Sequence, residues 1–193
     1  MKHNFVMPSA SDYQAAIQNP GLCFKDKELA ASSPIRSASG LPSSASGRFA
    51  IVFPLENHSK NIAVRCFTIF YKDQEKRYTL IDKALKQAKL PFFVDFAYKD
   101  EGIYLDNRWF PVLKMDWIEG KLLDQYILDN RKAPENLDSV KNELISIFRA
   151  LKKNSIAHCD LQPGNIIVTD KGIKLVDYDG LFVPRMEGMK RNE

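Results

Sequence analysis

Apolar and polar residues alternate along the chain in a way that predicts several short strands and three helices after residue 47. Two β-rich runs, residues 48–55 and 61–70, flank the polar segment "ENHSK" and predict an antiparallel strand pair. A helical periodicity follows over about residues 73–89, where Pro91 comes just after its end. The stripe predicted to be buried on this helix consists of Ile81, Ala84, Leu85 and Ala88.

The second half of the chain predicts strands at residues 92–98, 102–105 and 108–115, with a tight turn at Asp106-Asn107. Helices are predicted at about residues 121–130 and 137–154, and the runs "NIIV" and "IKLV" predict a closing hairpin. The face predicted to be buried on the second of these helices consists of Val140, Leu144, Ile147, Phe148 and Leu151. The order of strands, helix, strands, helices and hairpin favours an α+β fold.

The first 46 residues lack this regularity. One short helix is predicted near residues 12–18, and residues 30–47 are rich in Ser, Ala, Gly and Pro, which is typical of loop, linker or weak edge strand. We therefore expect residues 1–46 to be a poorly structured N-terminal extension.

Composition narrows the class of protein. The 193 residues include 28 Lys and Arg against 24 Asp and Glu, and these charges form no basic stripe, so no nucleic-acid partner is expected. The longest mostly apolar run, "FAIVFPL", is too short to span a bilayer, so no membrane association is expected. Three widely spaced cysteines match neither a zinc site nor a disulfide framework, which favours a cytoplasmic protein.

The stretch "HCDLQPGNIIVTDKGIKLVDYDG" concentrates the candidate chemistry. Pro163-Gly164 forces a turn that can place Asp160 and Asn165 on the same side, and Asp177 ends the second strand of the predicted hairpin. A carboxylate and an amide oxygen suit Mg²⁺, a hard cation that shares substrate phosphates. A second carboxylate can orient a hydroxyl and accept its proton, as phosphoryl transfer requires.

These residues resemble the H-R-D-x-x-x-x-N and D-F-G motifs of protein kinases, and "LQPGN" and "DYDG" resemble bacterial eukaryotic-like kinases in particular. The resemblance implies a two-lobed kinase-like fold, ATP and Mg²⁺ as cofactors, and serine/threonine kinase activity. It implies that Asp160 is the catalytic base and that Asn165 and Asp177 hold the metal. His158 is predicted to be structural, and Cys159 to be a small buried residue.

The resemblance extends upstream. "ASGRFAIV" lies where a kinase has its glycine-rich loop, with Ala45 and Ala50 in place of two glycines, and "AVR" lies where the β3 lysine motif would be. "LKMDWIEG" resembles the hinge, whose backbone groups would meet an adenine. The nucleotide-binding residues implied by the resemblance are Gly47, Val52, Ala63, Arg65, Asp116 and Ile118.

Other features depart from the kinase pattern. Gln162 replaces a usual lysine, Cys159 replaces the motif arginine, and either Glu75 or Asp82 could be the helix partner of Arg65. No A-P-E motif follows Gly180, so a truncated kinase is expected: extension 1–46, N-lobe 47–116, and hinge with partial C-lobe 117–193. A catalytically impaired pseudokinase or binding module remains an alternative. So does a small-molecule kinase of the aminoglycoside or choline type, because the phosphoacceptor could be a protein or a small molecule.

Overall fold

A computed structural model describes residues 6–58 and 60–189 of the chain. Helices are combined with antiparallel sheets, which confirms the mixed α+β class. The chain divides into two compact units, the first containing Met1–Glu75 and Asp95–Trp117, the second Lys76–Val94 and Ile118–Glu193. The domain boundaries predicted from the sequence and the two-lobed arrangement stay predictions.

The first unit is built on a six-stranded antiparallel sheet in the order β1-β3-β4-β6-β5, with β2 also paired to β3. The predicted pairing of the two β-rich runs is confirmed, because β3 and β4 pair residue by residue along their length. The elements are α1 (Ala10–Ala16), α2 (Pro20–Cys23), α3 (Lys27–Ala30), β1 (Ser33–Pro34), β2 (Ala45–Ser46), β3 (Ala50–Glu56), β4 (Asn61–Phe67), β5 (Phe96–Leu105) and β6 (Arg108–Asp116).

The predicted tight turn at Asp106-Asn107 is confirmed. Both residues have positive φ, 50° and 60°, as the mirror-image turn of a two-residue hairpin requires. Asp and Asn tolerate this conformation better than most residues, so the sequence fixes the register of β5 on β6 here.

The expectation of a poorly structured N-terminal extension is wrong for its described part. Three short helices lie within residues 10–30, and their apolar side chains join the sheet in one buried cluster. The cluster contains Tyr13, Ile17, Cys23, Phe24, Leu29, Ile51, Phe53, Leu55, Ile62, Val64, Cys66, Ile103, Phe110 and Val112. The helices are too short for a periodic signal, so their stability comes from packing on the sheet.

Polar contacts fix this N-terminal segment in place. The Asp26 carboxylate caps α3 and pairs with Lys114 at 2.9 Å and Lys99 at 3.0 Å. Burial alone would raise the pKa of Asp26, but the hydrogen bonds from Lys114, Lys99 and the Leu29 amide hold it well below its usual value. The Tyr13 hydroxyl donates to the Phe67 carbonyl at 2.7 Å. Helices and sheet therefore form one packed unit.

The second unit combines helices with a three-stranded antiparallel sheet in the order β7-β8-β9. The predicted closing hairpin is confirmed: β8 pairs with β9 across a turn that ends at Gly172, whose φ is 107°. The elements are α4 (Gln74–Ala88, whose first two residues belong to the first unit), β7 (Lys121–Leu122), α5 (Leu123–Asp129), α6 (Pro134–Lys153), β8 (Ile166–Thr169) and β9 (Gly172–Leu175).

The helix faces agree only in part with the predicted stripes. On α4, Ile81 is fully buried, whereas Ala84, Leu85 and Ala88 are half-buried. On α6, Val140, Ile147 and Leu151 are buried as predicted, but Phe148 is 52% exposed. Hydrophobic periodicity identified the correct helices. It does not show how much of each apolar face is covered by neighbouring residues. No described helix, within residues 6–58 and 60–189, is long and apolar enough to cross a membrane.

Candidate active site

The segment before β8 is organised around the Asn165 side chain. Residues Pro163–Asn165 form a single 3₁₀ turn, in which the Asn165 amide donates to the Gln162 carbonyl at 2.9 Å. This turn directs Asn165 inward, where it is 7% exposed. Its Nδ2 donates to the carbonyl and to Oδ2 of Asp160, both at 2.9 Å. The side chain of Asn165 thereby orients the exposed Asp160 carboxylate and leaves its own amide oxygen as an acceptor.

The segment that follows β9 lies directly beside this loop. The Val176 amide donates to the Asn165 carbonyl at 3.0 Å, and Asp177 comes next in the chain. A Cβ placed on Gly180 would lie 3.2 Å from the His158 carbonyl oxygen and 3.7 Å from the Asp160 Cβ. The structure therefore brings Asp160, Asn165 and Asp177 into two adjoining loops. Their catalytic and metal-binding roles stay predictions.

His158 supports these loops from inside. Its side chain is 1% exposed, and Nε2 lies 3.0 Å from the Val176 carbonyl oxygen. Burial lowers the pKa of the imidazole below its ordinary value, so the ring is neutral at pH 7 and its Nε2–H can donate to that carbonyl. This placement suits the structural role expected for His158.

Cys159 is not the buried residue that the sequence suggested, because its thiol is exposed. Its backbone has φ 64°, a left-handed conformation that is uncommon for a residue with a side chain. The conformation belongs to the loop, and a hydropathy pattern carries no signal for it.

Four predicted nucleotide residues lie in the hairpin region of the first unit. Val52 pairs with Arg65 across β3 and β4, and Ala63 precedes Arg65 by two positions, so these three share one face of the sheet. Arg65 is 7% exposed. The opposite face belongs to the apolar cluster with the N-terminal helices. Gly47 follows the last residue of β2, and its amide donates to the Ala50 carbonyl at 2.9 Å, closing a tight β2–β3 turn.

Asp116 and Ile118, the predicted adenine contacts, lie where the chain leaves β6. The Asp116 carboxylate pairs with Lys60 at 2.6 Å, and its amide donates to the Asp95 carbonyl at 3.4 Å. Ile118 is the first residue of the following stretch of the second unit. The role of these two residues in adenine binding stays a prediction.

The acidic partner of Arg65 stays an open choice. Asp82 pairs with Lys86 on the next turn of α4 at 2.8 Å, and Glu75 is exposed near the start of this helix. Neither observation decides between the two carboxylates.

Sequence reasoning missed a group of polar residues that hold the second loop. Arg77 and Tyr78 on α4 are 4% and 1% exposed, and both donate to the segment 179–181. The signal was present, because Gln74, Arg77, Tyr78 and Ile81 follow the spacing of a buried helix face. A prediction from apolar residues alone leaves out the polar members of that face.

Comparison with known proteins shows similarity to kinases. Residues 104–192, less than half of the chain, match the family described as ABC1 atypical kinase-like domain. The chain is 24% identical over 184 residues to the protein named "Probable serine/threonine-protein kinase mkcD" of Dictyostelium discoideum, which covers 86% of this chain and 28% of that protein. It is 32% identical over 82 residues to a Dictyostelium discoideum protein named as a cyclin-dependent serine/threonine-protein kinase, covering 40% and 12%.

These matches support a protein-kinase-like family for the chain, which spans less than a third of the length of either relative. The range matched to the kinase-like domain includes Asp116, Ile118, Asp160, Asn165 and Asp177. The bacterial type and the truncation expected from the sequence are not shown by these matches.

A kinase-like domain implies the use of ATP and typically of Mg²⁺, and the residues of the two loops fit that pair. Within residues 6–58 and 60–189 no group of three His, Cys, Asp or Glu residues could hold a metal ion by itself. The Asn165 amide oxygen and the Asp177 carboxylate are hard oxygen donors but too few for an all-protein cage. Such a set suits Mg²⁺, which keeps several waters and is shared with substrate phosphates.

Proposed function

We propose that this chain is an ATP-dependent phosphotransferase of the serine/threonine protein kinase type, which transfers the γ-phosphate to a hydroxyl. The observation that carries the proposal is the double hydrogen bond from Asn165 to Asp160, beside the loop that bears Asp177. The names of the two Dictyostelium discoideum relatives support the same reaction class.

Asp160 orients the acceptor hydroxyl and takes its proton. Its Oδ2 is held by Asn165, while Oδ1 accepts no hydrogen bond from the described residues and is available to a substrate. Because the carboxylate is exposed, an acceptor can approach it without a rearrangement of the loop. Fixing the base in this way supplies the positioning on which phosphoryl transfer largely depends.

Asn165 and Asp177 would hold Mg²⁺, which when bound neutralises charge on the phosphates. In the first unit, Arg65 would contact phosphate oxygens, and its guanidinium would do so as a planar fork rather than as the point charge of a lysine. Val52 and Ala63 would offer apolar contact to the base from the same face of the sheet, and Gly47 would lie near the phosphates. The backbones of Asp116 and Ile118 would meet the adenine.

The decisive experiment measures ³²P transfer from γ-labelled ATP, with Mg²⁺, to the protein itself and to a generic basic acceptor. Asp160→Ala is expected to lower transfer by roughly 10³-fold or more, because the base and its orientation are both lost. The matched control is Asp170→Ala, which removes an exposed carboxylate from the β8–β9 turn and should leave transfer unchanged. Equal labelling by wild type and Asp160→Ala would contradict the proposal.

One observation favours a second candidate, a nucleotide-binding module with impaired turnover. Gln162 Nε2 lies 3.3 Å from Asp160 Oδ2, so a neutral amide stands at the carboxylate where kinases usually carry a lysine. Thermal shift with Mg-ATP separates the candidates when combined with the transfer assay. Ligand at a hundred times its Kd should stabilise the fold by roughly 2.7 kcal/mol. Thermal stabilisation by Mg-ATP without phosphate transfer favours the binding module.

The acceptor and the compartment complete the proposal. We place the phosphoacceptor among proteins, and a screen of ATP consumption with aminoglycosides, choline and basic proteins tests that choice. We also place the protein in the cytoplasm, because Cys23, Cys66 and Cys159 are all free thiols, as a reducing compartment maintains them.

A further inference from the structure

The backbone of Asp177 needs an explanation that the proposed chemistry does not provide. Its φ is 63°, in the left-handed region, which is uncommon for a residue with a side chain, although Asp tolerates it better than most. Such a conformation persists only where the surrounding structure holds it in place. The Asp177 Oδ1 accepts from the Asp179 amide at 3.4 Å, so the contacts that fix the residues after Asp177 also decide which way its carboxylate is presented.

On the C-terminal side the turn is held by α4. The Asp179 side chain is 8% exposed, and its Oδ1 accepts a hydrogen bond from the Tyr78 hydroxyl. Arg77 donates through Nε to the Asp179 carbonyl at 3.1 Å and through Nη2 to the Leu181 carbonyl at 2.7 Å. Two adjacent helix residues thus bind three acceptors of one short segment.

Tyr178, the residue directly after Asp177, is fixed as well. Its hydroxyl accepts from the Val94 amide at 2.7 Å and lies 2.9 Å from the Leu175 carbonyl, to which it can donate. The ring is 2% exposed and packs edge-on against Phe93, with centroids 5.5 Å apart. The half-buried Asp177 is therefore followed directly by two residues, Tyr178 and Asp179, whose side chains are fixed by contacts outside the turn.

The desolvation cost of burying Arg77 indicates that its contacts do more than fill space between α4 and the turn. A buried arginine carries a large desolvation cost unless its donors are satisfied, and an apolar side chain would cover the same area without that cost. Arg77 supplies what an apolar residue cannot, a planar fork that fixes two carbonyl oxygens relative to each other. The geometry it fixes is the course of the backbone just after Asp177.

We propose that Arg77 and Tyr78 are positioning residues, which hold the turn Asp177–Gly180 so that Asp177 faces the nucleotide-bound cation. The inference rests on the proposed function and deepens it by assigning α4 a direct role in metal binding. The contacts responsible are the hydrogen bonds from Arg77 and Tyr78 to Asp179 and Leu181.

The experiment compares wild type with Tyr78→Phe, which keeps the buried ring and removes only the hydroxyl. Tyr104→Phe on β5 is the matched control, because it removes one hydroxyl from an exposed tyrosine of the first unit. Amide hydrogen exchange over residues 176–182 should accelerate in Tyr78→Phe and stay unchanged in the control. Unchanged exchange in a folded Tyr78→Phe variant would overturn the inference.

A second readout reports on the metal itself. Mn²⁺ binding, followed by electron paramagnetic resonance with a non-hydrolysable ATP analogue, should weaken in Tyr78→Phe by about 10- to 100-fold, as expected when a group that orients a ligand is lost. In the transfer assay the Mg²⁺ concentration for half-maximal rate should rise, while KM for the acceptor stays unchanged. Arg77→Lys, which keeps the charge but not the fork, should give an intermediate effect.

The outcomes separate the two claims. If wild type binds Mn²⁺ with the nucleotide and Tyr78→Phe binds it equally well, the positioning inference fails and the proposed function stands. If wild type shows neither transfer nor nucleotide-dependent Mn²⁺ binding, the proposed function fails, and the inference fails with it. If Tyr78→Phe does not fold, the same criteria apply to Arg77→Lys.

Discussion

The strand pair β3–β4 and the two loops around Asp160 both carry residues predicted to bind ATP or to act on it. Different interactions hold the two regions in place. On β3 and β4, strand register and the apolar cluster on the opposite face position Val52 and Arg65. In the loops, single polar side chains do this work, chiefly Asn165, His158 and Tyr178. Changes in the first region should therefore lower global stability, and changes in the second should alter local conformation.

The largest expected effect is in the apolar cluster of the first unit. Phe53→Ala should lower the free energy of unfolding by about 3–5 kcal/mol, because Phe53 is fully buried and its removal leaves a cavity. Urea denaturation measures this. Phe148→Ala is the control: Phe148 is 52% exposed, so its loss should change stability by less than about 0.5 kcal/mol. Similar effects for both variants would contradict the assignment of the core.

The second-largest effect is expected at Asp26, whose ion pairs with Lys114 and Lys99 hold the N-terminal segment in place. Asp26→Asn should cost roughly 1–3 kcal/mol at pH 7, because Lys99 loses its carboxylate partner and Lys114 keeps only Glu28, at 2.5 Å, among its two ion pairs in the described residues. The folded-state pKa of Asp26 is depressed, so its contribution is present above the unfolded value of about 4 and is lost as pH falls toward the folded value. Denaturation of wild type and Asp26→Asn at pH 7 and pH 3 measures this difference in the free energy of unfolding. A difference that does not change with pH would contradict the role given to the Asp26 ion pairs.

A smaller effect on stability, with a local signature, is expected in the loops. Asn165→Ala should cost about 1–2 kcal/mol, since two hydrogen bonds to Asp160 are lost, and should accelerate amide exchange over residues 158–165. Asn154→Ala provides the comparison, because its side-chain amide donates to the Ala150 carbonyl at the end of α6. It should leave exchange in residues 158–165 unchanged. Equal exchange in both variants would mean that Asn165 does not order this loop.

The smallest effect distinguishes two glycines of the same region. Gly180→Ala should destabilise by about 1 kcal/mol, since its Cβ would crowd the His158 carbonyl at 3.2 Å. Gly164→Ala should be neutral or stabilise by up to about 1 kcal/mol, because nothing lies within 4 Å of its Cβ and fewer unfolded conformations are lost. Thermal denaturation tests both. A larger loss of stability in Gly164→Ala than in Gly180→Ala would mean that Gly180 does not lie close to His158 and Asp160.

Much of the fold and of the loop pair could be predicted from local patterns. The β3–β4 pair, the Asp106-Asn107 turn, α4, α6 and the β8–β9 hairpin depend on periodicity and turn chemistry, which a sequence displays directly. The proximity of Asp160 and Asn165 followed from the turn at Pro163-Gly164. The N-terminal helices escaped prediction because helices of four to seven residues are stable only through packing, and packing partners lie far away in the sequence.

By itself, the sequence determined most of the strands, helices and turns after residue 47, and which chemistry the stretch 158–180 can support, because these depend on neighbours a few residues away. Tertiary structure alone decided that residues 10–30 cover one face of the sheet. It also decided that Cys159 is exposed and that Arg77 and Tyr78 bind the turn after Asp177. Each of these depends on groups that lie far apart in the chain or on a backbone conformation that only the fold imposes, and neither leaves a local pattern.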